Sequence, residues 1–460
     1  MLTCLTVSPD EPTRTLHVIT NSAYQSWLAK APATWRAWLV SRAFDAKGGA
    51  CALLPDADGR AEHALGILSD PAEIWDFAAF REALPNGQWR IDGDIDDGQA
   101  ALGWALGDYE YCRYREPDER MVALDIAQSP AVDRAQSIGE AILLARDLVN
   151  MPANELGPEQ LSRVAEDLAA QHGAWLNVTV GDDLLAGNLP LIHAVGRASE
   201  NPPRLIDIRW GELDAPRLTL VGKGVCFDTG GLDLKPSNAM LLMKKDMGGA
   251  AIMLALAKAI MLQRWPVRLR VLIPAVENSV SGAAFRPGDV LKARDGSYVE
   301  IGNTDAEGRL ILADALSLAL EDTPDVICDA ATLTGAARVA LGPDMPALFT
   351  NDDALAAAIA ETAVREDDPV WRLPLHTPYL KMLESSIADI NNAGSGGFAG
   401  AITAALFLQR FAKDAKSWCH MDVYAWNQSA RPGRPKGGEA QGLRALFSAL
   451  EDRFTGESGQ

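Results

Sequence analysis

The sequence is poor in basic residues and in cysteine. Its 42 lysine and arginine residues face 62 aspartate and glutamate residues, which gives a formal net charge of −20 at pH 7. A nucleic acid or an anionic membrane would repel such a chain, and no segment forms a basic patch that could reverse this, so we expect neither partner. The six cysteines are scattered without a CxxC pair, which indicates reduced thiols rather than a disulfide framework or a zinc knuckle.

Long apolar runs are also absent. The longest, around AAIMLALAKAIML, is too short to cross a bilayer, and MLTCLTVSPDE lacks the basic start and apolar stretch of a secretory signal. Only six histidines are present, none paired at metal-binding spacing, and His420 within WCHMDVYAW is expected to be a core residue. With 48% hydrophobic and 23% charged residues, the composition is that of a globular protein. We therefore expect a cytoplasmic protein with sizeable hydrophobic cores.

Three segments follow one another along the chain. Residues 1–128 mix short apolar runs with Gly, Pro and Asp, which predicts a smaller N-terminal α/β domain. Residues 129–150 carry apolar side chains at helical spacing and stop before Pro152, which predicts a helix that links two domains. Residues 151–460 form the larger domain of this prediction.

The larger domain alternates β-prone and helical runs. Strands are predicted for RLIDIRW, RLTLVGKG, VRLRVLIPAVEN and DVICDAATLTG, and helices for GGAAIMLALAKAIML and RLILADALSLAL. Such alternation predicts a two-domain α/β protein whose larger domain has a mixed, mostly parallel sheet covered by helices. In such sheets the ligand crevice lies beyond the carboxyl ends of the strands.

Three charged residues, Asp305, Glu307 and Arg309, occupy every second position of NTDAEGRL. If this segment is extended, their side chains project to one side. The helix predicted directly after them would then anchor the charges against the core. Alternatively, the two acids only favour the N-terminal end of that helix, a contribution of about 0.3–1 kcal/mol. Taken alone, the segment leaves both interpretations open.

A second charged segment, VGKGVCFDTGGLDLKPSNAMLLMKKDMGGAA, interleaves Lys223, Asp228, Lys235 and Asp246 with glycines. The GxxxxGK[ST] and GxGxxG arrangements are missing, so a nucleotide phosphate site is not indicated. If the two segments meet, four carboxylates share one pocket and repel one another unless cations compensate them, and two divalent ions carry the matching charge. Together the segments predict a dinuclear metal centre.

These two segments resemble those of the leucyl aminopeptidase (cytosol aminopeptidase) family of dinuclear metallopeptidases. Further similarity lies in NMPANELGP, LPLIHAVGRAS, ATLTGA, WRLPL, SIADINNAGSGGFAGAITAALFL and WCHMDVYAW, and it covers residues 147–446. The resemblance implies that residues 151–460 are a metallopeptidase catalytic domain. Such a domain uses a two-metal-activated water to hydrolyse the N-terminal residue from peptides with a free N-terminus. The resemblance also implies a homohexamer.

Metal ligands are implied by the same resemblance. One divalent ion would be held by Lys223, Asp228, Asp246 and Glu307, and the other by Asp228, Asp305 and Glu307. Ligands of this kind suit Zn²⁺, Mn²⁺, Co²⁺ or Mg²⁺, and of these we expect Mn²⁺ or Zn²⁺. As a ligand, the Lys223 amine must be neutral, which burial and a neighbouring dication favour. A salt bridge to a carboxylate is the alternative role for this lysine.

Catalytic and substrate-binding roles are implied as well. Lys235 would stabilise the oxyanion of the tetrahedral intermediate. Arg309 would hold a bicarbonate ion that accepts the proton of the attacking water. Substrate contacts would come from the ATLTGA segment through Thr332, Leu333 and Gly335.

Specificity is less constrained by the resemblance. Met243 would line the pocket for the first side chain, with core packing as an equal alternative, and the neighbouring Lys244 and Lys245 are expected on a solvated face. GGEAQGLR at 437–444 departs from the family's GATGxGVR, so we expect a broader or shifted specificity rather than a strict preference for leucine. The rival functions are an architectural DNA-binding protein, against which the net charge argues, and a dinuclear phosphoesterase.

Overall fold

The computed structural model describes residues 2–6, 13–56 and 58–456. By its internal contacts the chain divides into two compact units, Met1–Leu143 with Ser429–Lys436 and Leu144–Gln428 with Gly437–Gln460. The sequence patterns did not predict that residues 429–436 belong with the first unit. Among the described residues, no helix has both the length and the apolarity that crossing a membrane requires. All six cysteines are free, as predicted.

The first unit is built on a six-stranded sheet. Strands β1 to β6 are Leu5–Thr6, Arg14–Thr20, Cys51–Leu54, His63–Leu68, Gly87–Asp92 and Val122–Asp125. Helices α1 to α4 are Tyr24–Lys30, Ala33–Ser41, Ile74–Ala83 and Asp97–Asp108, and a 3₁₀ turn spans Asn21–Ala23. The strand order is β1-β6-β5-β2-β4-β3, with β3 antiparallel to β4 and the remaining neighbours parallel. Leu16 and Val18 alternate with less buried residues in β2 and direct one face of the sheet to a core.

Helix α5, Pro130–Asn150, follows the first sheet and ends two residues before Pro152. Ile138, Ile142 and Val149 share one face of it and are fully buried. Their spacing is that of an amphipathic helix, so the predicted apolar face is confirmed.

The second unit contains the remaining elements. Strands β7 to β20 are Trp175–Val180, Arg204–Trp210, Arg217–Gly222, Gly224–Asp228, Arg268–Asn278, Val290–Lys292, Tyr298–Glu300, Val326–Ala331, Ala347–Thr350, Trp371–Arg372, Ile390–Asn391, Trp418–Asp422, Trp426–Asn427 and Gly437–Gly438. Helices α6 to α15 are Pro158–His172, Asp183–Ala186, Pro190–Gly196, Ser237–Met240, Gly248–Leu262, Glu307–Leu320, Gly335–Leu341, Asp353–Arg365, Gly400–Phe411 and Leu443–Thr455. Two 3₁₀ segments span Met243–Met247 and Thr377–Leu383.

A nine-stranded mixed sheet organises this unit, in the order β16-β15-β18-β14-β9-β11-β8-β7, with β10 beside β11. The central neighbours β18, β14, β9 and β11 are parallel, whereas β7, β8 and β15 join antiparallel. Residues of β14 are buried throughout, as expected for a strand covered by helices on both faces. The four strands and two helices predicted from sequence are confirmed, and so is the mixed, mostly parallel sheet.

Helix α10 packs unusually close to this sheet at its first turn. A Cβ atom built on Gly249 would lie 2.1 Å from the backbone oxygen of Ala330 in β14. Glycine is therefore required where the helix backbone meets the strand, because any side chain would separate them. This contact sets the position of the residues just before α10 relative to the end of β14.

Asp314 of α11 is a buried polar anchor within the second unit. Its Oδ2 accepts hydrogen bonds from the backbone N–H groups of Leu191, at 2.8 Å, and Ile192, at 3.3 Å, in the first turn of α8. Its Oδ1 accepts from the N–H of Arg294 at 2.9 Å. Burial raises the pKa of Asp314 to about 7 despite these donors. One side chain thus satisfies backbone groups of two other segments.

We expect Asp314→Ala to lower the free energy of unfolding by about 3 kcal/mol, because three backbone N–H groups lose their acceptors. Asp314→Asn keeps one acceptor oxygen and should lose less. Urea unfolding of both variants at one pH measures the difference. A loss in Asp314→Asn as large as that in Asp314→Ala would contradict this expectation, because Asn keeps both the side-chain volume and one acceptor oxygen.

Candidate metal centre

The charged residues of both sequence segments meet at the carboxyl ends of the parallel strands. Lys223 follows β9, Asp228 is the last residue of β10, Thr332 follows β14 and Asp422 ends β18. A cavity of about 470 Å³ opens there and is lined by all four. The position agrees with the crevice predicted for a sheet of this type.

Three carboxylates form the centre of the site. Asp228, Asp305 and Glu307 each offer an oxygen, and these oxygens lie within 4.8 Å of one another. Asp228 and Glu307 are almost fully buried, at 2% and 1% exposure. Burial, reinforced by the neighbouring acids, raises the pKa of Glu307 to about 8 and that of Asp228 to about 6. The chain therefore concentrates more negative charge here than it neutralises.

Lys223 is one of two cations that the chain places in this cluster. Its Nζ lies 2.8 Å from Oδ2 of Asp246 and 2.9 Å from Oε1 of Glu307, and it donates a hydrogen bond to the backbone oxygen of Thr332. Burial would lower the pKa of Lys223, but the carboxylates, Asp246 foremost, raise it above its ordinary value. A Cβ atom on Gly308 would lie 2.6 Å from Cε of Lys223, so glycine makes room for this side chain.

Asp246 reaches the cluster from the 3₁₀ segment Met243–Met247. Its Oδ1 accepts a hydrogen bond from Oγ1 of Thr332 at 2.8 Å. Burial favours the neutral acid, but Lys223, Lys245 and the hydrogen bond from Thr332 together outweigh this effect and lower the pKa of Asp246. Asp246 is thus anionic, and it pairs with Lys223, as Glu307 also does.

Lys235 bridges the other side of the cluster. Its Nζ lies 2.9 Å from Oδ2 of Asp228 and forms an ion pair with Asp305. Burial opposes the charge of this amine, but the two carboxylates raise its pKa above the ordinary value. Lys235 lines the cavity as an ammonium group.

The extended arrangement predicted for NTDAEGRL is wrong. Helix α11 begins at Glu307, and the backbone N–H of Asp305 donates to Oδ1 of Asn303 at 2.7 Å in a turn before it. Residues two apart on a helix do not face each other, so Arg309 does not share a face with Glu307, and it is not among the residues that line the cavity. Its Nη1 donates to the backbone oxygen of Asn392 at 2.7 Å, and burial lowers its pKa to about 10.

The proposed substrate residues lie on the cavity wall: Met243, Thr332, Leu333 and Gly335. The expectation of a solvated face for Lys245 is wrong, because this residue is 5% exposed and lines the same cavity. Burial lowers the pKa of Lys245 to about 8. Lys244 is half-buried and donates to the backbone oxygen of Asn150. Two adjacent lysines in the sequence do not indicate that one of them, Lys245, is buried.

Two further residues of the wall were missed in the sequence. Arg338 in α12 and Tyr424 after β18 both line the cavity. Asp422 lies beside them and accepts hydrogen bonds from the N–H groups of Leu333 and Thr334. The strand WCHMDVYAW, which ends here, was the available signal for Asp422 and Tyr424, because its carboxyl end had to reach the crevice.

The segment 437–444, expected to shift specificity, is buried, and none of its residues is among those that line the cavity. Glu439 pairs with Arg146, and Gln441 accepts a hydrogen bond from the N–H of Ala425 at 2.8 Å. The departure from the family pattern therefore does not change the cavity wall directly. His420 is fully buried and bonded through Nδ1 to Asp329, as expected of a core histidine.

The cluster has the character of a site for divalent cations. Among the described residues, Oε2 of Glu307 and Oδ1 of Asn278 are buried without a hydrogen-bond partner. Buried acceptor oxygens beside several carboxylates are costly unless a cation satisfies them. An oxygen-rich donor set with one amine suits Mn²⁺, Zn²⁺ and related divalent ions. The residues present therefore fit a metal centre.

Comparisons with known proteins agree with this geometry. Residues 143–447 match the cytosol aminopeptidase family, catalytic domain, and residues 15–126 match the M17 aminopeptidase, N-terminal domain. A probable cytosol aminopeptidase of Roseiflexus castenholzii is 41% identical over 76% of this chain and 75% of that protein. Peptidase B of Pectobacterium carotovorum is 47% identical over 66% and 72%, respectively.

Two solved structures share the whole fold. The cytosol aminopeptidase of Coxiella burnetii is 44% identical, with a TM-score of 0.94 over 98% of this chain and 99% of that one. The bottromycin maturation enzyme BotP, solved in complex with Mn, is 35% identical, with a TM-score of 0.86 over 95% and 99%. The chain therefore belongs to the cytosol aminopeptidase family and is a metal-dependent exopeptidase that hydrolyses peptides from the N-terminus.

Proposed function

We propose that this aminopeptidase uses two divalent metal ions held by the carboxylate cluster. The observation that carries the proposal is the convergence of Asp228, Asp305 and Glu307 within 4.8 Å, with one Glu307 oxygen left without a partner. One ion would be held by Lys223, Asp228, Asp246 and Glu307, and the second by Asp228, Asp305 and Glu307. Mn²⁺ and Zn²⁺ are the candidates, and the Mn bound to BotP supports the first.

Lys223 has to change its protonation state to act as a ligand in this proposal. In the structure its ammonium group bridges Asp246 and Glu307. An ammonium group has no lone pair, so Lys223 can become a ligand only by losing a proton, which a nearby dication favours. If it keeps the proton, it remains a salt bridge beside the ions.

Lys235 is suited to stabilise an oxyanion. When bound, divalent ions supply Lewis acidity, which lowers the pKa of a water and polarises a carbonyl. Lys235 adds a fixed positive charge at the cavity surface, since Asp228 and Asp305 keep its amine protonated. We infer that its Nζ donates to the carbonyl oxygen of the substrate as negative charge develops there.

Arg309 is the candidate to hold a bicarbonate ion as proton acceptor. Its Nε has no hydrogen-bond partner among the described residues, although the side chain is only 8% exposed. A buried guanidinium with a free donor can bind a planar anion through two parallel hydrogen bonds. No histidine lines the described part of the cavity, so an anion held by Arg309 would supply the missing base.

Met243, Thr332, Leu333 and Gly335 would contact the substrate, because all four line the cavity beside the carboxylates. The peptide would enter with its free N-terminus toward the metal centre. A homohexameric assembly and a cytoplasmic location complete the proposal on the ground of the family alone. The domain limits 1–128, 129–150 and 151–460 are likewise retained as part of it.

Removal of the metals should abolish activity. We expect chelated protein to cleave no aminoacyl arylamide and Mn²⁺ or Zn²⁺ to restore cleavage. Asp305→Ala should lower kcat/KM by at least ~100-fold and lower the bound metal, because a ligand is lost. Asp353→Ala, an exposed aspartate remote from the cavity lining, serves as control. Metal analysis that finds no uptake of divalent ions by the native protein would overturn the proposal.

Metal uptake should release protons in a pH-dependent way. Because the pKa of Glu307 is raised to about 8, its carboxyl must lose a proton to bind metal at lower pH. Affinity should therefore rise with pH, and the number of protons released should fall by about one between roughly pH 6.5 and 9.5. A proton still released at the upper pH is assigned to Lys223.

Calorimetry in buffers of different ionisation enthalpy counts these protons. Glu307→Gln should remove the pH-dependent proton, and Lys223→Met the one that persists at high pH. Glu321→Gln, an exposed residue just after the same helix, is the matched control. Proton release that is unchanged in Lys223→Met would assign this lysine to the salt bridge.

Lys235 and Arg309 should act on turnover more than on substrate binding. We expect Lys235→Met to lower kcat by about 100-fold with little change in KM, because its contact forms in the transition state. Arg309→Met should lower kcat and abolish any stimulation by added bicarbonate. Metal content must be measured in both variants. An unchanged bicarbonate response in Arg309→Met would exclude the anion-binding role.

A further inference from the structure

The cavity wall carries two cations, Lys245 and Arg338, that form no ion pair with an acid among the residues the structure describes. Lys245 is 5% exposed and lines the cavity, and no described residue forms a hydrogen bond or an ion pair with its ammonium group. Its Nζ lies 4.6 Å from the ring centroid of Tyr424. The guanidinium carbon of Arg338, at the rim, lies 5.1 Å from the same centroid. The ring of Tyr424 thus makes cation–π contacts with both Lys245 and Arg338.

The nearest carboxylates are already engaged. Asp246 accepts from Thr332 and pairs with Lys223. Asp422 accepts from the Thr334 hydroxyl at 2.6 Å and from two backbone N–H groups. Neither acid forms an ion pair with Lys245, although both lie near enough to affect it electrostatically. A buried ammonium group without an acidic partner is costly, which is the condition for a site that a ligand completes.

Both cations line the same cavity as Met243, the residue proposed to contact the first side chain of the substrate. Lys245 follows Met243 by two residues in the same 3₁₀ segment and directly precedes Asp246. The cavity of about 470 Å³ is shared by Met243, Lys245 and Arg338. An apolar pocket for leucine would gain nothing from a buried lysine on its wall, whereas an acidic side chain would neutralise it.

We propose that Lys245 and Arg338 form a cationic subsite that selects peptides with an N-terminal glutamate or aspartate. This proposal rests on the proposed function, because the subsite would bind the side chain of the N-terminal residue that the aminopeptidase removes. Lys245 would bind the side-chain carboxylate within the cavity, and Arg338 would add a second donor at the rim. Met243 would pack against the methylene groups of the same side chain.

Paired substrates that differ only in charge test this subsite. We expect kcat/KM of the metal-loaded enzyme to be at least about tenfold higher for α-glutamyl than for glutaminyl p-nitroanilide. Lys245→Met should lower this ratio by about tenfold or more, and Arg338→Gln by a smaller factor, about threefold, because Arg338 is exposed. Lys244→Met is the matched control, since its side chain bonds to Asn150 instead of lining the cavity. Thermal unfolding verifies that each variant is folded.

Binding without turnover gives an independent measure. Calorimetric titration with free L-glutamate and L-glutamine compares two ligands that share the amino and α-carboxylate groups. Wild type should bind glutamate more tightly, and Lys245→Met should remove the difference. Equal binding of both amino acids by wild type would contradict the subsite, whatever the rates on arylamides.

The remaining outcomes separate this inference from the proposed function. If no arylamide is cleaved after metal loading, the proposed function fails. If leucyl p-nitroanilide is cleaved but the glutamyl-to-glutaminyl ratio is the same in wild type and Lys245→Met, only the subsite is overturned. Leucyl-glycine and leucyl-glycinamide test the other source of a carboxylate. A Lys245→Met effect confined to leucyl-glycine would mean that the lysine binds the C-terminal carboxylate and would also overturn the proposal.

Discussion

Mutual repulsion among buried carboxylates is the constraint on which the site depends. Asp228, Asp246, Asp305 and Glu307 bring four acids into one cluster, and the chain itself supplies Lys223 and Lys235 as direct partners. These two ion-paired lysines do not balance the four clustered carboxylates. Burial, together with the repulsion from neighbouring acids, raises the pKa values of Glu307 and Asp228. Divalent cations remove this repulsion, so metal binding and the integrity of the cluster are the same physical requirement.

The sheet makes this crowding possible because its parallel strands end at one edge. Each strand end delivers a group to the cavity, and close backbone contacts fix their spacing. Gly249 lets helix α10 touch β14, and Gly308 leaves room for the stem of Lys223. Rigid elements of this kind hold like charges together at a distance that free side chains would avoid. The repulsion between these charges is offset by the large apolar core around β9 and β14, two strands whose residues are almost entirely buried.

Local patterns predicted much of this protein and missed what depends on distant contacts. The alternation of apolar residues located the central strands and helices, and the charges near strand ends located the crevice. The extended arrangement considered for NTDAEGRL was wrong because a spacing of two fits a strand, whereas a helix begins at Glu307.

The solvated position expected for Lys245 was wrong for another reason. Adjacent lysines are typical of a solvated surface, and only the packing of the cavity wall buries one of them. The segment 437–444 was expected to affect specificity because its sequence departs from the family pattern, yet it is buried, and Glu439 within it pairs with Arg146. Burial of a charge is a property of the assembled chain and cannot be derived from its neighbours in sequence.

The net charge of the chain sharpens the case for local cations in the cavity. With a formal charge of −20, the protein repels an acidic peptide at long range. At physiological ionic strength that repulsion is screened beyond about 8 Å, so the contacts made inside the cavity decide which residue is accepted. Asp228, Asp246 and Asp305 line this cavity, and so do Lys245 and Arg338. An N-terminal glutamate carries a positive amine and a negative side chain, so it can interact with both kinds of charge. A leucine side chain, which carries no charge, would leave the buried ammonium group of Lys245 without an acidic partner.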